Sequence, residues 1–271
     1  MILKRRVALN GEQLDELDNR IIITGIDEAA GKDNISAVSS AYGFGQRVIR
    51  KRRDSLDVTV KFALNLKNDT PGHRRTRETL LEKINTWACK GGVMTLDNRS
   101  NRQLYVMLAQ APGSGDMFNW TNEFTMVFRA YAVPYWEDTR GTTNSSGMTK
   151  ADAKTSGSFY LTVPGNTDTE VELTVRNWSG STINTLTLTV GGKQIKFTNL
   201  GLGGSDVLVI DHLRDAGMYV FRAQNKGSST VSVLDKRSGA DDFTVSPGKR
   251  KISFSAQRAV TVTATVRGRY I

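Results

Sequence analysis

The chain has little of what catalysis usually draws on. Among its 271 residues there is one cysteine, Cys89, and there are two histidines, His73 and His212. A single cysteine forbids an internal disulfide and fits folding in a reducing compartment. A hydrolytic triad needs a base beside a nucleophile. His73 falls in a polar segment expected to begin a helix, and His212 follows Asp211 at the end of an apolar strand, where a turn-forming role is expected. Cys89 follows Trp87 and Ala88 on an apolar stripe and reads as a packed thiol rather than a nucleophile. No cluster has metal-ligand spacing, and the pair Asp241-Asp242 has Lys236 and Arg237 as neighbours. Gly201-Leu202-Gly203-Gly204 is glycine-rich, but no helix follows it to present amides to a phosphate. No apolar run reaches the length of a membrane-spanning helix. The segment Met1 to Asn10 has basic residues without the apolar core of a signal peptide. These absences predict a protein that is not an enzyme, with no catalytic, cofactor-binding or metal-binding residues and no membrane partner.

What is present is the balance of a soluble globular protein, 38% hydrophobic and 24% charged. The length suits two domains. The net charge of +10 is unevenly divided: residues 1–138 carry 20 Lys and Arg against 17 Asp and Glu, and residues 139–271 carry 17 against 10. The surface is basic enough to attract an acidic partner. The strongest break in pattern is Thr139 to Gly157, polar and aperiodic apart from Met148. It reads as a linker. The expected division is therefore 1–138, a linker at 139–157, and 158–271.

In the first half, Leu56, Val58, Val60, Phe62, Leu64 and Leu66 alternate with Asp57, Thr59, Lys61, Ala63 and Asn65. A strict period of two predicts a strand with one buried face. A helix follows, with Thr70 as N-cap and Pro71 at the first helical position. Leu80, Leu81, Ile84, Trp87 and Ala88 form one stripe, and Arg74, Arg75, Arg77, Glu78, Glu82 and Lys83 are assigned to the outer face. Gly91-Gly92 stops the helix. One one-sided helix among strands must cover a sheet face. Further strands are expected at Gly92–Leu96, Gln103–Gln110 and Trp120–Tyr131, with Asn122 interrupting the apolar face of the last.

The second half reads as eight or nine short strands separated by turn signals such as Pro164-Gly165-Asn166, Gly191-Gly192, Asn225-Lys226-Gly227 and Pro247-Gly248-Lys249. That spacing predicts a β-sandwich of jelly-roll or galectin-like type. Lys251–Ser255 and Ala259–Tyr270 are expected as two separate strands.

One charged run stands out. Arg47, Arg50, Lys51, Arg52 and Arg53 place five cations in seven residues, just after Gly43-Phe44-Gly45. The run is expected on a hairpin arm, either as a solvated tip or as the candidate interface for an acidic partner such as a neighbouring subunit, another protein or DNA. Asp54, Asp57, Asp15, Glu16 and Asp18 are candidate acids to answer it.

The order of these elements, with the phrases Arg74-Arg75-Thr76-Arg77-Glu78-Thr79-Leu80-Leu81, Asn122 to Tyr131, Pro134-Tyr135-Trp136-Glu137, Ser246-Pro247-Gly248 and the terminal Val-Thr-Ala-Thr-Val-Arg-Gly-Arg-Tyr strand, resembles the distal tail protein of siphophages along the whole chain. The resemblance implies a mainly β fold: an N-terminal tail-tube-like domain with one α-helix, and a C-terminal galectin-like domain. It implies a homo-hexameric ring around the DNA channel, passing DNA without sequence-specific binding. The ring would join the tail tube to the tip hub and support receptor-binding components. Tail tube, tip hub and tape measure proteins are the implied partners, and the virion tail tip, assembled in the host cytoplasm, the implied place. No cofactor is implied. Family members that bind saccharides carry a large inserted module, which this chain lacks. The rival expectation is a carbohydrate-binding adhesin on a tail or cell surface, resting on the sandwich and on Tyr160, Trp178 and Tyr219.

Overall fold

The computed structural model describes residues 5–29, 33–39, 46–66, 71–113, 123–224 and 230–271. The expected N-cap Thr70, the residues Trp120 and Asn122, the glycines of Gly43-Phe44-Gly45 and the turn Asn225-Lys226-Gly227 lie outside the described residues. The chain is mainly β, and the described residues include one α-helix. It divides into one compact unit of Met1–Trp136 with Ile271 and a second of Glu137–Tyr270.

The first unit is built on an antiparallel sheet. Along its path lie Glu12–Gln13, Val7–Leu9, Gly92–Leu96, Arg102–Gly113, Glu123–Ala130, Leu56–Leu64 and Ile21–Glu28. In Leu56–Leu64 every odd position of the strand is buried, as the alternation requires. Phe62 stacks on Phe124 of the neighbouring strand with ring centroids 5.6 Å apart. The helix Pro71–Cys89 covers the face these rings line, and Trp87 meets Phe128 edge-on at 5.9 Å. Each such fully buried side chain contributes roughly 1.5–3 kcal/mol. Arg77, assigned by its charge to the outer face, is 5% exposed. It lies three residues before Leu80 and seven before Ile84, which puts it on the buried stripe at 3.6 residues per turn. The helix ends at Gly91 and Gly92, both with positive φ. Asn10 fills the space there: its amide donates to the Gly91 carbonyl at 2.7 Å, and its Oδ1 accepts from the Val93 N–H at 2.9 Å. A Cβ at Gly92 would lie 2.3 Å from Asn10 Oδ1, so glycine is required there.

The second unit is a curled sheet folded over its own core. Its spine is one 19-residue strand, Gly248–Val266, where two strands were expected. The first half of the spine pairs with Lys154–Val163 on one side and Leu186–Val190 on the other. The second half pairs with Thr169–Asn177 and Thr142–Ser145. The partners change around Gln257-Arg258, and the local drop in apolarity there marks that change, not a strand end. Phe197, Phe221, Phe243, Ile252, Phe254 and Val262 fill the interior. Gly191-Gly192, both with positive φ, makes the two-residue hairpin that sets Val190 opposite Lys193.

The stretch read as a linker is ordered sheet for much of its length. Thr142–Ser145 pairs with residues 263–266, Thr149 and Asp152 form a capping box around the short 3-10 turn Lys150–Asp152, and a strand starts at Lys154. Polar Thr and Ser residues there serve a sheet edge, which composition alone cannot tell from a loop.

Candidate functional site

The basic run lies on the strand Gln46–Arg53, which pairs antiparallel with Asp33–Ser39 in a two-stranded sheet of its own. Ser36 is opposite Arg50 and Ala37 opposite Val48, so Ile49 is an extra residue that bulges the strand. The run thus sits on a ribbon, as expected. The side chains of Arg47, Arg50, Lys51 and Arg52 lie outside the described residues. Arg53, at the end of the ribbon, places its guanidinium carbon 5.2 Å from the Tyr135 ring centroid.

Two of the acids considered as answers to this run are engaged within the chain. Asp57 takes both its oxygens to Arg129 at 2.6 and 2.7 Å. Asp18 is bidentate to Arg20 at 2.8 and 2.9 Å, and that guanidinium holds its carboxyl down at about 2. Beside the helix, Glu78, Leu81, Glu82 and Asn85 face Ala111 and Pro112 across a recess of about 280 Å³. The opposite flank of the helix lines a second recess of about 430 Å³ with Arg20, Arg75, Thr76, Thr79 and Lys83. The helix therefore separates an acidic flank from a basic one. Nothing in the alternation or the stripe signals this; the helical angle of Glu78 and Glu82 is the clue that a helical wheel would have supplied.

A cluster of charge in the second unit, centred on buried Glu137 and Arg269, was not signalled by the sequence. Glu137 and Arg269 are 2% and 4% exposed. Arg269 Nε donates to Glu137 Oε1 at 2.9 Å and its Nη1 to Glu170 Oε1 at 2.7 Å. Arg214 donates through Nε to Glu137 Oε2 at 2.8 Å and through Nη2 to Glu172. His212, expected at a turn, lies within the strand Val207–Leu213, opposite Tyr219 with ring centroids 5.2 Å apart. Its Nδ1 is 3.8 Å from Glu170 Oε2. Burial pushes its pKa down against the pull of Glu170, and the two arginines push the same way as burial. Burial likewise raises the Glu172 carboxyl against the pull of Arg214. The three carboxylates are held by guanidinium groups, an arrangement that fixes strands rather than one that moves protons to a substrate.

Cys89 is exposed at the helix end, not packed as expected, because position 89 turns past the buried stripe; its Sγ donates to Asn85 Oδ1 at 3.5 Å. Asp241 pairs with Arg237 and Asp242 with Lys193. Among the described residues no three His, Cys, Asp or Glu side chains are grouped to hold a metal ion, and no helix is long and apolar enough to cross a membrane. Of the three aromatic residues considered for sugar stacking, Tyr160 is 50% exposed beside Lys249. Trp178 is half-buried, with its indole N–H donated to Thr261 Oγ1 at 2.9 Å, and the Tyr219 hydroxyl donates to the Val171 carbonyl at 3.2 Å.

No family model matches the chain, and no curated protein matches it. Among solved structures it is similar to the SPP1 Dit protein, gp 19.1, described as a paradigm of the hub adsorption apparatus in Gram-positive infecting phages. The two share 12% identity at a TM-score of 0.64, over 97% of this chain and 98% of that one. The fold is Dit-like. Chains of the phage p2 baseplate in its activated conformation, with Sr and with Ca, share 7% identity at a TM-score of 0.49, over 97% of this chain and 97% and 98% of theirs. The Dit-like fold spans both units, including the curled β-sandwich sheet of the second, in keeping with the sandwich the sequence predicted.

Proposed function

We propose that the chain is a structural subunit of a phage tail tip or baseplate and acts by assembly, not by catalysis. The observation that carries this reading is the full-length match of its fold to SPP1 Dit, covering 97% of one chain and 98% of the other. The charge distribution supports it. The buried carboxylates are committed to arginines, while the concentrated charge of one sign lies on a ribbon outside the main sheet.

In this reading six copies close into a ring that joins the tail tube to the tip hub, with the tail tube, hub and tape measure proteins as partners and the DNA channel at its centre. Open sheet edges favour such closure, because cyclic pairing removes them. Ile21–Glu28 is such an edge at the end of the first unit's sheet path, with Ile22 49% exposed on it. The basic residues Arg47, Arg50, Lys51, Arg52 and Arg53 act at the subunit interface. The adhesin reading is weaker, since two of its three aromatics spend their polar groups inside the unit. Negative-stain electron microscopy and native mass spectrometry of the purified chain test the proposal. Six-fold rings are expected at high concentration, and a monomer at every concentration that is also absent from virions would refute it.

A further inference from the structure

Among the described residues, no third strand pairs with the ribbon of Asp33–Ser39 and Gln46–Arg53. A lone two-stranded hairpin is marginal in water and needs a surface to pack on. Its second strand carries five cations, so that surface should be acidic. The recess lined by Glu78, Leu81, Glu82, Asn85, Ala111 and Pro112 has that character. Leu81, Ala111 and Pro112 give it apolar surface, with Leu81 only half-buried, and Glu78 and Glu82 in its lining are exposed. Arginine suits such a groove, since its stem lies on apolar surface while its planar head reaches carboxylates. The other recess beside the helix is lined by Arg20, Arg75 and Lys83 with one acid, Asp18, already taken by Arg20, and would repel the run. Glu78 and Glu82 stand four apart on one helix face, a like-charge spacing that a cation between them relieves.

We propose that this groove receives the basic strand Gln46–Arg53 of a second copy of the chain. The two surfaces differ, so the contact is heterologous and propagates from copy to copy until rotation closes it. The inference rests on the ring reading and adds to it the surface that takes the ribbon.

The test uses the full-length chain in two charge-reversed forms, Glu78→Lys with Glu82→Lys and Arg50→Glu with Arg52→Glu. Each should keep the parent's circular dichroism and thermal transition and weaken ring association by roughly tenfold or more. Mixed in equal amounts, they should form rings again, because each reversed surface then meets its complement. Glu78→Gln with Glu82→Gln serves if lysine at these positions disturbs the helix, with a smaller loss expected. A parent that forms rings together with a groove variant that forms them equally well overturns this inference and leaves the ring reading standing. Two folded variants that fail to complement each other place the ribbon elsewhere and overturn it as well. A parent that forms no ring overturns both.

Discussion

The molecule holds charge in two contrasting ways. In the second unit Glu137, Glu170, Glu172, Arg214 and Arg269 are drawn inside and matched against one another. In the first unit Arg47 to Arg53 lie on a ribbon outside the main sheet, five of one sign together. Buried charge must be answered within the fold, because desolvation leaves no other way to keep it ionised. Surface charge of one sign is tolerated by water and can attract another molecule. The first pattern is architecture, and the second is the contact proposed for a partner. The comparison can be broken by showing that the inner network is dispensable or that the ribbon's charges matter to the monomer.

The largest effect is expected from truncation. A fragment of residues 137–271 keeps Glu137, the strand Thr142–Ser145 and their bonds to the end of the spine, including Asp138 N to Gly268 O at 2.9 Å and Ser146 N to Val262 O at 2.9 Å. It should unfold in one cooperative transition. A fragment of residues 158–271, cut where composition alone would place the boundary, loses all of these. It should show strand signal in the far ultraviolet without fixed aromatic packing in the near ultraviolet. Equal stability of the two fragments would make the segment 139–157 a linker after all.

Next comes the network itself. Arg269→Met leaves the buried Glu137 and the half-buried Glu170 without their shared cation, and removing one partner from such a cluster costs roughly 3–5 kcal/mol. Urea unfolding of the variant measures it. A loss below about 1 kcal/mol would put this cluster in the class of exposed pairs such as Lys61 with Asp27, whose side chains are 50% and 61% exposed.

Much of the first unit was legible in the sequence, and this network was not. The alternation from Leu56 and the stripe at Leu80, Ile84 and Trp87 are local signals, read within a dozen residues. The partners of Arg269 lie 132 and 99 residues away, and no local pattern ties them. Arg77 misled because its charge outweighed its place on the stripe. The spine strand was split for a similar reason: Gln257-Arg258 looks like a turn until Leu186–Val190 and Thr169–Asn177 are seen to pair on either side of it. The basic run was visible, but the groove proposed to take it needs the helix and the strand Arg102–Gly113 in one place.

A smaller effect should appear with pH. Burial holds His212 below the ordinary histidine value of 6.5, so its protonation favours the unfolded chain. Its contribution is complete above that value and is lost as pH falls through the folded pKa. Glu170 and Glu137 face it and favour its charge, while Arg269 and Arg214 oppose it. Glu172 has the opposite sign: its raised carboxyl adds stability fully present below the ordinary 4.5 and lost as pH rises through the folded value. His212→Gln should flatten the stability profile just below pH 6.5 and leave the Glu172 window unchanged. An unaltered slope in the variant would assign the acid response to other groups.

The smallest effect carries the sharpest sign. At its helical neighbours three and four residues away, Glu82 meets Glu78, Thr79, Asn85 and Thr86. Its one charged neighbour on that face therefore repels it, at a cost of a few tenths of a kcal/mol. Glutamine has nearly the same helix propensity as glutamate, so Glu82→Gln removes the repulsion and little else. The monomer should become slightly more stable, by about 0.2–0.5 kcal/mol, while ring association weakens. Residues kept for binding often stand at a small cost to the fold, and only a residue of that kind moves the two measurements in opposite directions. Chemical denaturation at low ionic strength resolves the first, since salt would screen the repulsion. Native mass spectrometry at the same ionic strength resolves the second. If Glu82→Gln destabilises the monomer, the carboxylate serves its own helix, and the acidic flank belongs with the buried network as architecture.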